Sequence, residues 1–373
     1  MTATTIQLGL IAAETGPASS TFGDSATGAQ ARIALQNAQG GVDGRKLQLE
    51  VVDDTSTQSG SRTAAEDLVS SKGVFGVMSD STALTGGGAD FLLQQGVPVT
   101  EQSSLTGSEP KYTDEFTYVQ GQTPTPSTSL DAAFFKSIGV HDVGYVTYND
   151  PQDIAGFGAE KQGYAAGGLH FCYGDLVPIG AVNFTTIVLS MKGANCQGVF
   201  LSAVESSDIA MATAIEQAGL HIKQLYATGY DQNFLDNTEA RTVAQGQYFR
   251  ILVPLDLDTP PVKRFYAALK KYDPSYKGGL ASFGAQTGWI IADEMIQGLE
   301  VAGPNPTRAS FIKNLAQVKD YTIGGLNPTG VDLSKRWKLV GPQCAYFAQL
   351  EGSKFLPYPR DGKPICGKVV GGG

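Results

Sequence analysis

Short apolar runs alternate with longer amphipathic ones along almost the whole chain of 373 residues. Ile6–Leu10 (IQLGL) reads as a strand, followed by a long polar loop, IAAETGPASSTFGDS, and a helix-like stretch, ATGAQARIALQNAQ. The turn GGVDGRK leads into a second strand, LQLEVVDD, that ends in paired acids. In SGSRTAAEDLVSSKG the spacing of Ala64, Ala65, Leu68 and Val69 puts them on one helix face. Val74–Met78 is short and wholly apolar, as a strand covered on both sides should be. Residues 86–95 read as a helix and VPVT as the next strand.

At TPTPSTS (Thr123–Ser129) the composition changes abruptly, which marks a crossing into a second lobe. There SLDAAFFKSIG reads as a helix, DVGYVTY as a strand, IAGFGAEKQGYAAGG as a helix, LHFCY as a strand and TTIVLSMKGAN as a helix. GVFLSA is a buried strand, and SDIAMATAIEQAG a helix with Ile209, Ala212, Ile215 and Ala218 inward. QLYATG and GQYFRILVP follow as strands. PPVKRFYAALKKYDP has a proline-led start and a proline stop. The most apolar helix, ASFGAQTGWIIADEMIQGLEVAG, comes next, and the tail from Ser334 alternates like a terminal strand pair.

This alternation predicts an α/β fold with two Rossmann-like lobes, mainly parallel sheets and helices on both faces. The length suits two domains. Lobe one is expected to span 1–122 plus 252–328, and lobe two 123–251 plus 329–373. Hinges are expected near residues 121–125, 247–254 and 325–333, around a ligand cleft. In open α/β sheets ligands sit beyond the carboxyl ends of strands, so those ends carry the functional reading.

The formal net charge of −9 gives no electrostatic reason to seek nucleic acid. The three histidines are scattered, no CxxC occurs, and no cofactor or metal is expected. GxGxxG, Walker A, GxSxG and HExxH are all missing, so no catalytic residue is named and the protein is expected not to be an enzyme. The four cysteines fall into two sequence-local pairs, Cys172 with Cys196 and Cys344 with Cys366. They are either two disulfides or four unrelated thiols. Disulfides would place the chain in an oxidising compartment, its targeting segment removed from a precursor with or without a lipid anchor.

Small polar residues follow several strands: Ser79, Asp80, Ser81 and Thr82, then Glu101, Gln102, Ser103 and Ser104. Each set either caps the next helix or binds a polar ligand group. In the second lobe the strand ends carry aromatics and acids: Tyr148 and Asn149, Glu205, then Tyr230 and Asp231. Such groups can cover a small ligand and pair with a cation or donor.

The opening order of strand, polar loop, helix, Gly-Gly turn and strand ending in paired acids resembles the leucine/isoleucine/valine-binding protein family. That family comprises extracytoplasmic receptors of ABC importers with the type I periplasmic-binding fold. The resemblance implies a monomer that catalyses nothing, closes on a small molecule and delivers it to a membrane permease. VMSDSTALT resembles the segment that holds the ligand carboxylate, which implies Ser79 and Ser81. VPVTEQSSLTGSE implies Ser103 and Ser104 in the same way. STFGDS implies Phe22 as an aromatic cover, and Phe283 joins the candidate set near the start of the apolar helix. GVFLSAVESSDIAMATAIEQAGL and QLYATGYDQ resemble the second-lobe segments that supply an aromatic and an ammonium-binding acid, which implies Glu205, Tyr230 and Asp231. Asp80 departs from the pattern, since it puts a negative charge beside the expected carboxylate pocket. An amino acid, an amide or a related organic acid therefore all stand as ligands, and a ligand-sensing domain of the same fold stands beside the transport receptor.

Overall fold

The structure is a computed structural model that describes residues 1–102, 111–118, 127–327, 330–337 and 342–371. Ser103 and Ser104, the expected hinge at 121–125 and part of that at 325–333 lie outside the described residues. The chain divides into two compact units, Met1–Gln122 with Leu255–Lys338, and Thr123–Pro254 with Leu339–Gly373.

In the first unit, β1 (Thr5–Ala12), β2 (Lys46–Asp53), β3 (Gly76–Asp80), β4 (Val99–Glu101) and β5 (Glu115–Phe116) form a parallel sheet ordered β2-β1-β3-β4-β5. β3 is buried at every position because helices cover both faces. Val77 packs with Ala64, Ala65 and Leu68 of the adjoining helical segment. Gly76, of opposite parity, lies under Met295 of the helix Phe283–Ala302. That helix touches the helix Ser25–Ala38 backbone to backbone. A Cβ on Gly28 would lie 1.9 Å from the Ala285 carbonyl oxygen, and one on Gly288 would lie 1.9 Å from that of Ser25. Ser282 caps the Phe283–Ala302 helix by accepting from the Ala285 N–H.

In the second unit the strands are β6 (Ser127–Thr128), β7 (Asp142–Tyr148), β8 (His170–Val177), β9 (Gly198–Leu201), β10 (Lys223–Tyr226), β11 (Tyr248–Ile251), β12 (Gln343–Glu351), β13 (Lys354–Tyr358), β14 (Ile365–Gly367) and β15 (Val369–Val370). The main sheet runs β13-β12-β11-β10-β9-β7-β8, parallel from β8 to β11 and antiparallel through β12 and β13. The tail is thus the strand pair read from its alternation. Phe134 stacks on Phe347 at 4.5 Å between ring centroids, binding the first helix of this unit to the tail. Cys172 is bonded to Cys196 and Cys344 to Cys366, the two pairs named from the sequence. Cys344 and Cys366 sit opposite each other in the β12–β14 ladder.

Three readings need correction. The helix expected at 86–95 begins only at Ala89, because Gly86 takes a φ of 78° in the preceding turn. The helix expected from Ile154 begins at Pro151, whose fixed φ suits a first turn. In Glu205–Gln217 the buried face is Ser207, Asp208, Met211, Ala212 and Ile215, whereas Ile209 and Ala218 are only half-buried. The spacing of 208, 211, 212 and 215 follows the 3.6-residue period, which a strict step of three does not.

Candidate functional site

Both sheets carry the same reversal of strand order. From β1 the chain passes to β2 on one side and β3 on the other, and from β7 to β8 on one side and β9 on the other. Crossovers on opposite faces leave a crevice at the carboxyl ends of those strands. The first unit therefore offers the ends of β1 and β3, and the second the ends of β7 and β9.

At the first crevice Ser79 and Asp80 point to opposite faces of β3. Ser79 is fully buried, and its hydroxyl has no hydrogen-bond partner among the described residues. Ser81 is also buried, and its hydroxyl donates to Asp54 Oδ2 and accepts from the Ala83 N–H at 3.0 Å. Burial raises the Asp54 carboxyl, with the hydrogen bonds from the Ser81 hydroxyl and the Ser56 N–H opposing. Ser81 is thereby engaged by the loop after β2. Asp80 turns to the other face, where the hydroxyls of Ser25 and Thr287 both reach its Oδ2. Phe22 and Phe283 meet edge to face, with ring centroids 5.9 Å apart.

At the second crevice Tyr148 ends β7 with its ring buried, and Asn149 follows, exposed, its N–H donating to the Val177 carbonyl at 2.8 Å. Glu205 opens the helix after β9 and is buried. Burial first, and then the charge of Asp231, push its carboxyl up to about 8. Asp231 is buried as well and caps the next short helix by accepting from the Phe234 N–H at 2.9 Å. The ring of Tyr230 lies 5.0 Å from that of Phe355.

The structure thus brings Phe22 to Phe283 and Glu205 to Asp231. Sequence reasoning missed Ser25, Thr287 and Asp208. Asp208 is fully buried, accepts from Thr228 Oγ1 at 2.7 Å, and is pushed up by burial. The 3.6-residue period of its helix could have found it. Nothing local announces Ser25 and Thr287, which lie 55 and 207 positions from Asp80.

One chemical trait runs through all these segments. Residues 13–18, 54–57, 81–88, 102, 149–150, 178–184, 202–204, 227–231 and 252–259, which follow the carboxyl ends of parallel strands, contain no Lys, Arg or His. They do contain Glu14, Asp54, Asp150, Asp231, Asp256 and Asp258, while Asp53, Asp80 and Glu101 close their strands. Among the described residues no three His, Cys, Asp or Glu side chains gather as metal ligands.

Fold and strand-end geometry define a two-unit binding protein of the type I periplasmic-binding class. The chain belongs to the family described as periplasmic binding protein, whose profile matches residues 5–354. A solute-binding protein of an ABC transporter from R. palustris, solved with benzoate, superposes with a TM-score of 0.78 at 16% identity, over 99% of each chain. A leucine-binding protein from Thermotoga maritima gives 0.78 at 13% identity, over 96% of this chain and 98% of that one. A possible leucine/isoleucine/valine-binding protein from Rhodopirellula baltica gives 0.78 at 14%, over 96% and 97%. At these identities the likeness is one of fold. No curated protein sequence matches the chain.

Proposed function

We propose that this protein is the extracytoplasmic solute-binding receptor of an ABC importer, and that its ligand is a small polar molecule bearing a cationic nitrogen. The observation that supports the ligand class is the acidic, base-free character of the strand-end segments. A free organic anion meets no cationic side chain in those segments, whereas an ammonium group meets Glu205 and Asp231. The receptor role rests on the family and on the fold of ABC-transporter solute-binding proteins.

In this reading Ser79, Ser81, Ser103 and Ser104 hold the ligand's polar end, and Phe22 and Phe283 cover its apolar part. Tyr148, Asn149 and Tyr230 line the second half of the site. Glu205 and Asp231 together are the acids for the ammonium, with one oxygen of Asp231 also capping a helix. The lobes close on the ligand, the closed form is stabilised by contacts only it makes, and a permease reads that form. The protein acts as a monomer and catalyses nothing.

Calorimetric titration of ligand-free protein with leucine, phenylalanine, acetamide and benzoate tests this. Binding of an amino acid that weakens at least tenfold in Glu205→Gln is expected. Benzoate binding that leaves Glu205→Gln unaffected would overturn the ligand class. Scattering profiles that coincide with and without a bound ligand would overturn closure.

A further inference from the structure

Asp80 is the departure from the expected carboxylate pocket, and its surroundings give it a different task. It is the last residue of β3, fully buried, and its side chain lies on the face covered by the helices Ser25–Ala38 and Phe283–Ala302. Ser25 opens the first of these helices, three residues after Phe22. Its hydroxyl proton is shared between the Phe22 carbonyl oxygen at 2.6 Å and Asp80 Oδ2. Thr287 lies one turn into the second helix, four residues after Phe283. Its proton is shared among the Gly284 carbonyl oxygen at 2.9 Å, the Phe283 carbonyl oxygen at 3.1 Å and Asp80 Oδ2.

One carboxylate oxygen therefore gathers a hydroxyl from each helix, and each hydroxyl also touches the backbone of the segment that carries a ring. The same two helices are in glycine-mediated backbone contact at Gly28 and Gly288. A Cβ on Gly284 would lie 3.0 Å from the Ser25 nitrogen. Around Gly28, Gly284 and Gly288 no side chain separates the helices, so at this end, nearest the rings, their relative position is set by backbone contact and by the Asp80 anchor, while the Arg32–Asp293 ion pair at 2.7 Å joins them further along. The two rings, 5.9 Å apart and nearly fully buried, inherit that position.

We propose that Asp80 is a positioning residue: it fixes the Phe22–Phe283 ring pair by anchoring Ser25 and Thr287 to the end of β3, and so sets the shape of the apolar side of the site. The consequence for ligand selection rests on the reading that these rings face the ligand. The Asp80 carboxyl reaches these two hydroxyls on the opposite face from Ser79, so its side chain turns away from a ligand group beside that serine.

The test places 4-fluorophenylalanine at position 22 alone and reads its fluorine resonance. Phe283→Leu marks where the resonance lies when the neighbouring ring is lost. Asp80→Ala, Ser25→Ala and Thr287→Ala are each expected to move it from the wild-type position toward that mark. Asp80→Asn, which keeps one acceptor oxygen, is expected to fall between, and Thr287→Ser to restore the wild-type position. Should Asp80→Ala not fold, Asp80→Asn, Ser25→Ala and Thr287→Ala carry the test. An unchanged resonance in folded Ser25→Ala and Thr287→Ala would overturn the proposal, as would failure of Thr287→Ser to restore it. Titrating the labelled wild type with leucine, phenylalanine and benzoate is the separate arm. If no probe moves the resonance, the ligand-facing role of Phe22 fails for these probes, while the variant series still decides the role of Asp80.

Discussion

Glu205 shows how burial converts a side chain into a pH-sensitive group. Its carboxyl titrates at about 8 in the folded protein and near 4.5 ordinarily, with burial the larger cause and Asp231 the second. Between those values the folded chain keeps a proton that the unfolded chain has released, so stability without ligand falls as pH rises across that window. Each such group contributes a slope of at most about 1.4 kcal/mol per pH unit. Glu294, raised to about 8 mainly by burial and then by Asp293, adds a slope of the same sign. Denaturant unfolding at pH 5 to 8 should show Glu205→Gln losing less stability with pH than the wild type. An identical slope in the two proteins would mean that Glu205 is ionised throughout. The same chemistry links pH to binding: an ammonium ligand favours the carboxylate, so its affinity should rise as pH climbs toward 8.

The helices of the first unit depend on glycine where their backbones touch. Gly288→Ala would drive a methyl to within 1.9 Å of the Ser25 carbonyl oxygen, so the helix Phe283–Ala302 must shift. A loss of about 1–3 kcal/mol is expected from such overpacking, read from denaturant midpoints. Gly158 makes the contrast. It lies exposed within the helix Pro151–Ala166, and a Cβ there meets nothing within 4 Å. Gly158→Ala should stabilise by roughly 0.5–1 kcal/mol through backbone entropy alone. Equal effects at the two positions would contradict the packing described. At this scale much was legible in the sequence. The apolar run around β3, the proline-led helix Pro260–Tyr272 and the alternating tail each declare their element by period or punctuation. The Asp80 anchor was not legible, because its partners come from helices 55 and 207 positions away, and only the assembled unit places them together. The inward face of Glu205–Gln217 was misread because apolar residues were followed at steps of three, and the buried Asp208 was passed over as polar.

Across the whole molecule, two units repeat one strand order, and each reversal point holds part of the candidate set. The disulfides lie only in the second unit and close loops of 24 and 22 residues. Replacing Cys172 and Cys196 by Ser should cost on the order of 3 kcal/mol, seen as a lower thermal midpoint in oxidised protein and none in reduced protein. The central claim is that the molecule receives an amine-bearing solute. It is tested most directly by thermal unfolding of ligand-stripped, refolded protein against leucine, phenylalanine, acetamide and benzoate. An amino acid at roughly a thousand times its dissociation constant should stabilise the protein by about 4 kcal/mol, a rise of several degrees. Benzoate should give no rise. Stabilisation by benzoate without any by the amino acids, or by none of the four, would contradict the account.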